Sequence, residues 1–300
     1  MTNWLTFALL APLVYTGVNF IDKYIVEKEV KDYRGMPIYG TIMGLIMGTL
    51  FWVFTGFPIL NLKDTIILLL TGSITIWAAA LYFQAISMEE ASKVILLFQM
   101  TPVLVLIMSY IFLGERISSQ QLIGFFLILS AVIGVSDSIK KGGFQLSKAF
   151  WLILAVDFMW ALSAILIKFS INETSFTQVL SYESWGLGLG GLLLYAFFPS
   201  IRNSFNYSIK TVRKTALAIM FGNEGLFVFG KSLQFFAYSL GNAALVSIIG
   251  STQVFIGIIV GIVLTIFLPH IIKEDITKTI LVKKLALAVV MFIGLVLIGG

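Results

Sequence analysis

The chain has 300 residues, 59% of them hydrophobic and 12% charged, and a mean hydropathy of +0.99, values that exclude an ordinary soluble domain and place the protein in a membrane. With no cysteine and one histidine, His270, it has no route to disulfides, to thiolate or histidine-based metal sites, or to Cys/His nucleophilic catalysis. The net charge of +5 comes from basic residues in short segments between apolar runs, so anionic lipid headgroups are the expected counter-charge and nucleic acid is not.

A membrane span needs about 20 apolar residues. On that measure the sequence predicts an all-α polytopic membrane protein with ten transmembrane helices, at 4–22, 36–60, 62–87, 90–113, 119–139, 149–170, 176–199, 213–239, 243–268 and 280–299. Continuous apolar runs, without alternating ten-residue strands, exclude a β-barrel. The links hold fewer than about 20 residues each, too few for a soluble domain.

The first segment follows Met1, Thr2 and Asn3 without a cationic start or a small-residue cleavage site, and is expected to be retained as a helix. It carries Asn19 mid-run and ends at Lys23, whose ammonium is expected to snorkel to the interface, as is that of Lys168 at the end of the sixth. The second holds GTIMGLIMG (40–48), a glycine spacing repeated in GLGLGG (186–191) and GIIVG (257–261); close helix packing is the first reading and a homodimer face or a gating role the alternative. Trp77 and Tyr82 lie in the third. SMEE (87–90) reads as a capping box that opens the fourth, with Ser87 as cap and Glu90 three residues on. Within the fourth, Gln99 is a lone polar group and Pro102 removes a backbone hydrogen bond and permits a bend useful for gating. Asp157 and Trp160 fall on the sixth segment, Glu183 on the seventh, and Glu224 and Lys231 on the eighth.

The sequence also matches itself. LYFQAISMEEASKVILLFQMTPVLVLI, from Leu81, aligns with LQFFAYSLGNAALVSIIGSTQVFIGI, from Leu233, so that Phe83, Ala85, Ser87, Ala91 and Val94 meet Phe235, Ala237, Ser239, Ala243 and Val246; Gly72 meets Gly222 and Lys23 meets Lys168. Two units of five helices in series must enter the membrane in opposite orientations, an inverted repeat with halves at 1–142 and 143–300. Such halves can exchange packings and expose a central site to one side and then the other.

The segment ALYFQAISMEEASKVILLFQMTPVLVLIMSYIFLGERISSQQLIGFFLILSAVIGV (80–135), with Pro102 and the LGERIS link (113–118), resembles the hallmark region of EamA-type carriers of the drug/metabolite transporter superfamily. In the second half Val254 stands at the position of Pro102, and the GERIS turn is replaced by LPHIIKEDITKTILVKK (268–284). The resemblance implies a secondary transporter with ten helices around a central cavity and no bound cofactor. It also implies substrates among amino acids, nucleosides, sugar derivatives and drugs, and termini in the cytoplasm.

Glu224 and Lys231 stand seven residues apart, about 10 Å along a helix and on roughly one face, too far for a direct salt bridge. Each charge costs roughly 2.5 to 3.5 kcal/mol at the centre of a membrane helix. Three readings offset that cost: Lys231 snorkels, each charge pairs with another helix, or both line a wet cavity and contact a zwitterionic or anionic substrate. Their counterparts in the first half are neutral, which favours a specialised role. Asp157 and Glu183 are candidate partners for Lys231 or coupling carboxylates. Asn19 and Gln99 read as interhelical hydrogen bonders or as polar lining, and Trp77, Tyr82 and Trp160 as packing or as an aromatic wall.

The expected function is a secondary active transporter that moves a small organic metabolite by alternating access across the cytoplasmic membrane. Its partners are the small-molecule substrate, membrane lipids and a coupling proton or sodium ion. A flippase for a lipid headgroup is the alternative. A membrane enzyme is disfavoured, since no catalytic groups converge at one helix end, and the lack of a phosphate-binding glycine loop leaves no visible ATP motor. Counted with the first five residues of the segment that follows each, links after odd-numbered segments hold sixteen lysines and arginines against two, Lys63 and Arg116, after even-numbered ones; the positive-inside rule then puts the odd links in the cytoplasm and both termini outside.

Overall fold

The computed structural model describes residues 4–113, 118–140, 143–171, 174–240, 246 and 249–299. In chain order the α-helices are α1 (Trp4–Tyr24), α2 (Pro37–Phe54), α3 (Leu62–Ile86), α4 (Ala91–Leu97), α5 (Met100–Leu113), α6 (Ser119–Ser136), α7 (Lys148–Ile171), α8 (Phe176–Phe197), α9 (Pro199–Thr211), α10 (Lys214–Leu240), α11 (Gln253–Phe267) and α12 (Lys278–Gly299). An antiparallel hairpin of β1 (Asp137–Lys140) and β2 (Gly143–Leu146) links α6 to α7. Each of the ten expected apolar segments contains a helix, and none is a membrane strand among the described residues.

Among the described residues, six stretches are long and apolar enough to cross a membrane: Trp4–Glu29, Tyr33–Phe54, Leu62–Ile86, Ala91–Phe112, Lys148–Ile167 and Lys278–Leu297. A seventh arises if α8 and α9 count as one span bent by 103°. Ser119–Ala131 and α11 are shorter apolar helices. Helix α10 has 27 residues, yet Asn223, Glu224, Lys231 and Gln234 keep it out of that set.

Local signals explain most boundaries. Asn61 caps α3 by accepting from the Asp64 amide at 2.8 Å, and Ser175 with Gln178 forms a capping box that opens α8. The predicted segment at 36–60 stops early because Gly56 and Phe57 turn with positive φ before Pro58. The predicted segment at 176–199 ends at Phe197: Pro199 brings no N–H to continue the ladder and forces Phe198 into an extended conformation, φ −113° and ψ 94°. The chain then resumes as α9, where the sequence suggests only a link. One face of α9, Ile201, Ser204 and Ser208, is buried; Ser204 Oγ accepts from the Gly35 amide at 2.9 Å, and Tyr39 and Ser208 hydroxyls meet at 2.8 Å.

The expected fourth helix is two. A turn at Phe98 and Gln99 separates α4 from α5, and a matching turn at Ser251 and Thr252 precedes α11. Pro102 lies in the first turn of α5, where its missing N–H has no helical partner to lose. Val254, its counterpart, donates to the Ser251 carbonyl at 3.2 Å beside the same kind of break, so proline is not what breaks the helix. The SMEE capping box is not formed. Ser87 ends α3, its hydroxyl on the Gln84 carbonyl, and α4 starts after Glu90 without a side-chain cap from it. The α4 N-terminus is capped from the α11–α12 link, where Glu274 accepts from the Ser92 amide at 2.9 Å and from its hydroxyl.

Packing runs mainly between the two halves. Helix α1 lies on α10, α2 and α3 on α8, α3 and α5 on α7, α4 on α11, and α6 on α12. Glycines let α2 and α3 seat against α8: a Cβ on Gly186 would stand 2.5 Å from the Leu69 carbonyl, and one on Gly44 2.8 Å from the Ser184 carbonyl. These glycine faces are used inside the chain. Gly72 also presses on the α8 backbone, whereas a Cβ on Gly222 would meet nothing within 4 Å, so the glycine shared in sequence does not mark shared packing.

Candidate substrate site

Polar residues of α1 sit at one helical spacing: Tyr15, Asn19 and Asp22 fall at i, i+4 and i+7 and face the bundle. Tyr15 donates to Gln234 of α10 at 3.1 Å, and Asn19 accepts from Gln253 of α11 at 3.3 Å. Asp22, 3% exposed, accepts from the Tyr82 hydroxyl of α3 at 2.8 Å and from the Asn223 amide of α10 at 2.7 Å. The sequence reading assigns Asp22 to the last position of its segment. The helix in fact continues through Tyr24 into a π-helical turn, Ile25–Glu29, which leaves Asp22 buried. The i, i+4, i+7 spacing of polar groups on α1 is the sequence signal for it.

Glu224 is half-buried next to Asn223, within electrostatic reach of Asp22 and Tyr82. Its carboxylate lies against the backbone of α2, where a Cβ on Gly40 would come within 2.8 Å of Oε2. Among the described residues no hydrogen bond or ion pair reaches it.

Lys231 is placed differently from Glu224. It is 4% exposed and its ammonium forms an ion pair with Glu183 of α8, with Phe227 of its own helix 5.9 Å away. Of the three readings of Lys231, snorkelling is excluded and pairing with another helix is what the structure has. Glu183, which the sequence offers as a partner for Lys231 or as a coupling carboxylate, is 1% exposed.

Tyr82 and Trp160 are brought together by a residue the sequence analysis did not select. The Phe98 ring, in the α4–α5 turn, lies 5.9 Å from Tyr82 and 5.0 Å from Trp160, centroid to centroid. Asp157, one turn before Trp160 on α7, accepts from the Thr101 hydroxyl at 2.5 Å and has Oδ2 buried without a partner. Gln99 donates to the Ile95 carbonyl at 3.2 Å and leaves Oε1 buried without one. Trp77 stands elsewhere: it is 41% exposed and its indole donates to the Gly190 carbonyl at 2.9 Å, pinning α3 to α8.

Above the cluster, at the end of the bundle where α1 and α3 finish, lies a cavity of about 310 Å³ lined by Lys23, Glu27, Glu89, Glu90, Lys273 and Glu274 among others. Lys23 does not snorkel. It is 7% exposed, donates to the Ile86 carbonyl at the C-terminus of α3 at 2.8 Å, and pairs with Glu27 at 2.9 Å. Lys284 ties Glu90 (2.5 Å) to Glu274 (3.3 Å) beside it. Charged residues of several links thus line this end of the bundle. The Lys168 side chain and residues 114–117 of the GERIS link lie outside the described ones.

Residues 2–137 match the model of the EamA-like transporter family. They form an EamA-like domain of the drug/metabolite transporter superfamily. Members of this family are membrane transporters of small substrates, and the chain is accordingly an integral multi-pass membrane protein. A solved structure titled "Crystal structure of protein" superposes with a TM-score of 0.59 at 14% identity, over 97% of this chain and 95% of that one, so the fold extends beyond the EamA-like half. Among curated proteins none matches.

Proposed function

We propose that the protein is a secondary active transporter of the cytoplasmic membrane that moves a small organic metabolite, amino acid-, nucleoside- or sugar-like, by alternating access. The observation that carries this is the cluster of buried Asn19, Asp22, Tyr82 and Asn223 with half-buried Glu224, drawn from α1, α3 and α10 and set beside the Tyr82–Phe98–Trp160 strip. Polar groups so placed in a membrane bundle are costly and mark substrate or ion pathways.

The ten segments are read as ten spans in two inverted halves, 1–142 and 143–300. Support comes from the pairing of helices. Exchanging each segment with its counterpart in the other half maps α1 on α10 onto α3 on α7, and α4 on α11, α6 on α12 and α2 on α8 onto themselves. Phe83 and Phe235, Ala85 and Ala237, and Val94 and Val246 are buried alike. The α4–α5 and pre-α11 breaks are the elements that bend, and Asp157, with its open Oδ2, is the coupling carboxylate. The lipid-headgroup reading gains no such observation.

The test is uptake into proteoliposomes together with thermal stabilisation of purified protein by amino acids, nucleosides, sugars and polyamines. At least one solute should stabilise the protein and cross the membrane, and Glu224→Gln should abolish its uptake at normal yield and unliganded stability. A protein that neither binds nor moves any of them is not this carrier.

A further inference from the structure

The central cluster offers acceptors and negative charge, and on the reading that it is the substrate site this selects the substrate. We infer that the site takes an organic cation, a protonated amine on an aromatic or apolar body, with the ammonium between Asp22 and Glu224 and the body along Tyr82, Phe98 and Trp160.

The hydrogen-bond inventory points one way. Asn223 donates through Nδ2 to Asp22 at 2.7 Å and to the Val18 carbonyl at 3.4 Å; both partners accept only, so the amide orientation is fixed and Oδ1 is left buried without a donor. Gln99 is fixed in the same way by the Ile95 carbonyl, and its open atom is again an oxygen. Both side chains are more than nine-tenths buried. Asp22 receives two neutral donors and no cation, and Glu224 receives neither among the described residues. What is missing at each place is a donor, and an ammonium supplies three.

Charge selects in the same sense. Among the described side chains, Lys231 on the helix of Glu224 is committed to Glu183, and Lys23 beside Asp22 to Glu27 and the Ile86 carbonyl. An incoming carboxylate or phosphate would therefore face Asp22 and Glu224 without a counter-charge. A bare metal ion fits less well: among the described residues no three acidic or histidine groups converge as ligands. The rings of Tyr82, Phe98 and Trp160 supply what an organic cation uses, apolar contact and π faces.

Three probes with one body and different charge test this: 2-phenylethylamine, 3-phenylpropanoate and phenylalanine, each scored for thermal stabilisation of the wild-type protein and for uptake into proteoliposomes. The amine should stabilise and be carried, and the other two should do neither. Asp22→Asn and Glu224→Gln should each weaken amine binding at least about tenfold, the loss of a hydrogen bond to a charged group. If the anion or the zwitterion binds and is carried while the amine is not, the inference falls and the carrier reading stands. If the amine binds as tightly to both variants as to wild type, or if neither the amine nor tetraethylammonium nor putrescine stabilises the wild-type protein, the inference falls; the wider solute panel then decides the carrier reading separately.

Discussion

Lys231 and Glu183 form a buried ion pair between α10 and α8, with side-chain exposures of 5% and 1%. Lys231→Met removes the cation and strands a carboxylate against the α3–α8 contact, where the backbone of Glu183 packs on Gly72. Removing one member of a buried pair costs about 3 to 5 kcal/mol, most of it the uncompensated partner. Interhelical polar contacts inside membranes average only about 0.6 kcal/mol in double-mutant cycles, so the two expectations are well separated. For a chain of this size roughly 2 °C of Tm accompanies each kcal/mol, which puts Lys231→Met and Glu183→Gln about 6 to 10 °C below wild type. The double variant Lys231→Met with Glu183→Leu should recover most of that loss, because an apolar pair of similar volume replaces the ion pair at little net cost. The assay is thermal unfolding of purified protein in detergent, completed as a double-mutant cycle. Single variants within about 1 °C of wild type, or a cycle with no coupling, would show that the pair does not hold α8 to α10.

Three further outcomes follow from the packing and the links. Gly72→Leu would drive a side chain into the Glu183–Leu187 backbone, with the Leu187 nitrogen 2.5 Å from the new Cβ, and should cost at least about 1 to 3 kcal/mol; Gly222→Leu, where a Cβ meets nothing, should leave Tm nearly unchanged, and equal effects at the two sites would refute the difference. Pro102→Ala should leave stability within about 1 kcal/mol and transport intact, since the break lies at Phe98 and Gln99 and Val254 sits beside an equivalent one; collapse of transport in this variant would restore the proline as the hinge. Asp275, in the α11–α12 link, is held below the ordinary carboxylate range by the Thr277 amide 2.9 Å away. A pKa lowered by folding adds stability above the unfolded value and loses it as pH falls from about 4 downward, so Asp275→Asn should flatten the acid limb of a Tm-against-pH curve, and an unaltered limb would count against that hydrogen bond.

Hydrophobic run length made the helical segments legible because burial in lipid demands long apolar stretches, and each segment does contain a helix. It could not reveal α9, whose polar composition hides one short buried face, nor the α4–α5 break, since a two-residue turn leaves an apolar run looking continuous. SMEE misled because the local capping pattern was outcompeted by Glu274, 182 residues from Ser92, a contact that only the fold creates. At the site, Glu224, Asn19, Tyr82 and Trp160 were visible as polar or aromatic residues out of place. Asp22 was not, because it stood next to Lys23 at an apparent helix end and read as surface. The role of Lys231 turned on which of two carboxylates it met, and sequence spacing carries no information about that.

Alternating access through the central cluster is tested most directly by chemistry at Asn19. The chain has no cysteine, so Asn19→Cys introduces its sole thiol. Asn19 is 7% exposed here and sits beside Gln253. With a membrane-impermeant thiol reagent applied to right-side-out and to inside-out vesicles, exchange between the two openings predicts labelling from both faces, slowed by a carried solute. Labelling from one face only, or from neither, with the variant folded and inserted, would contradict it.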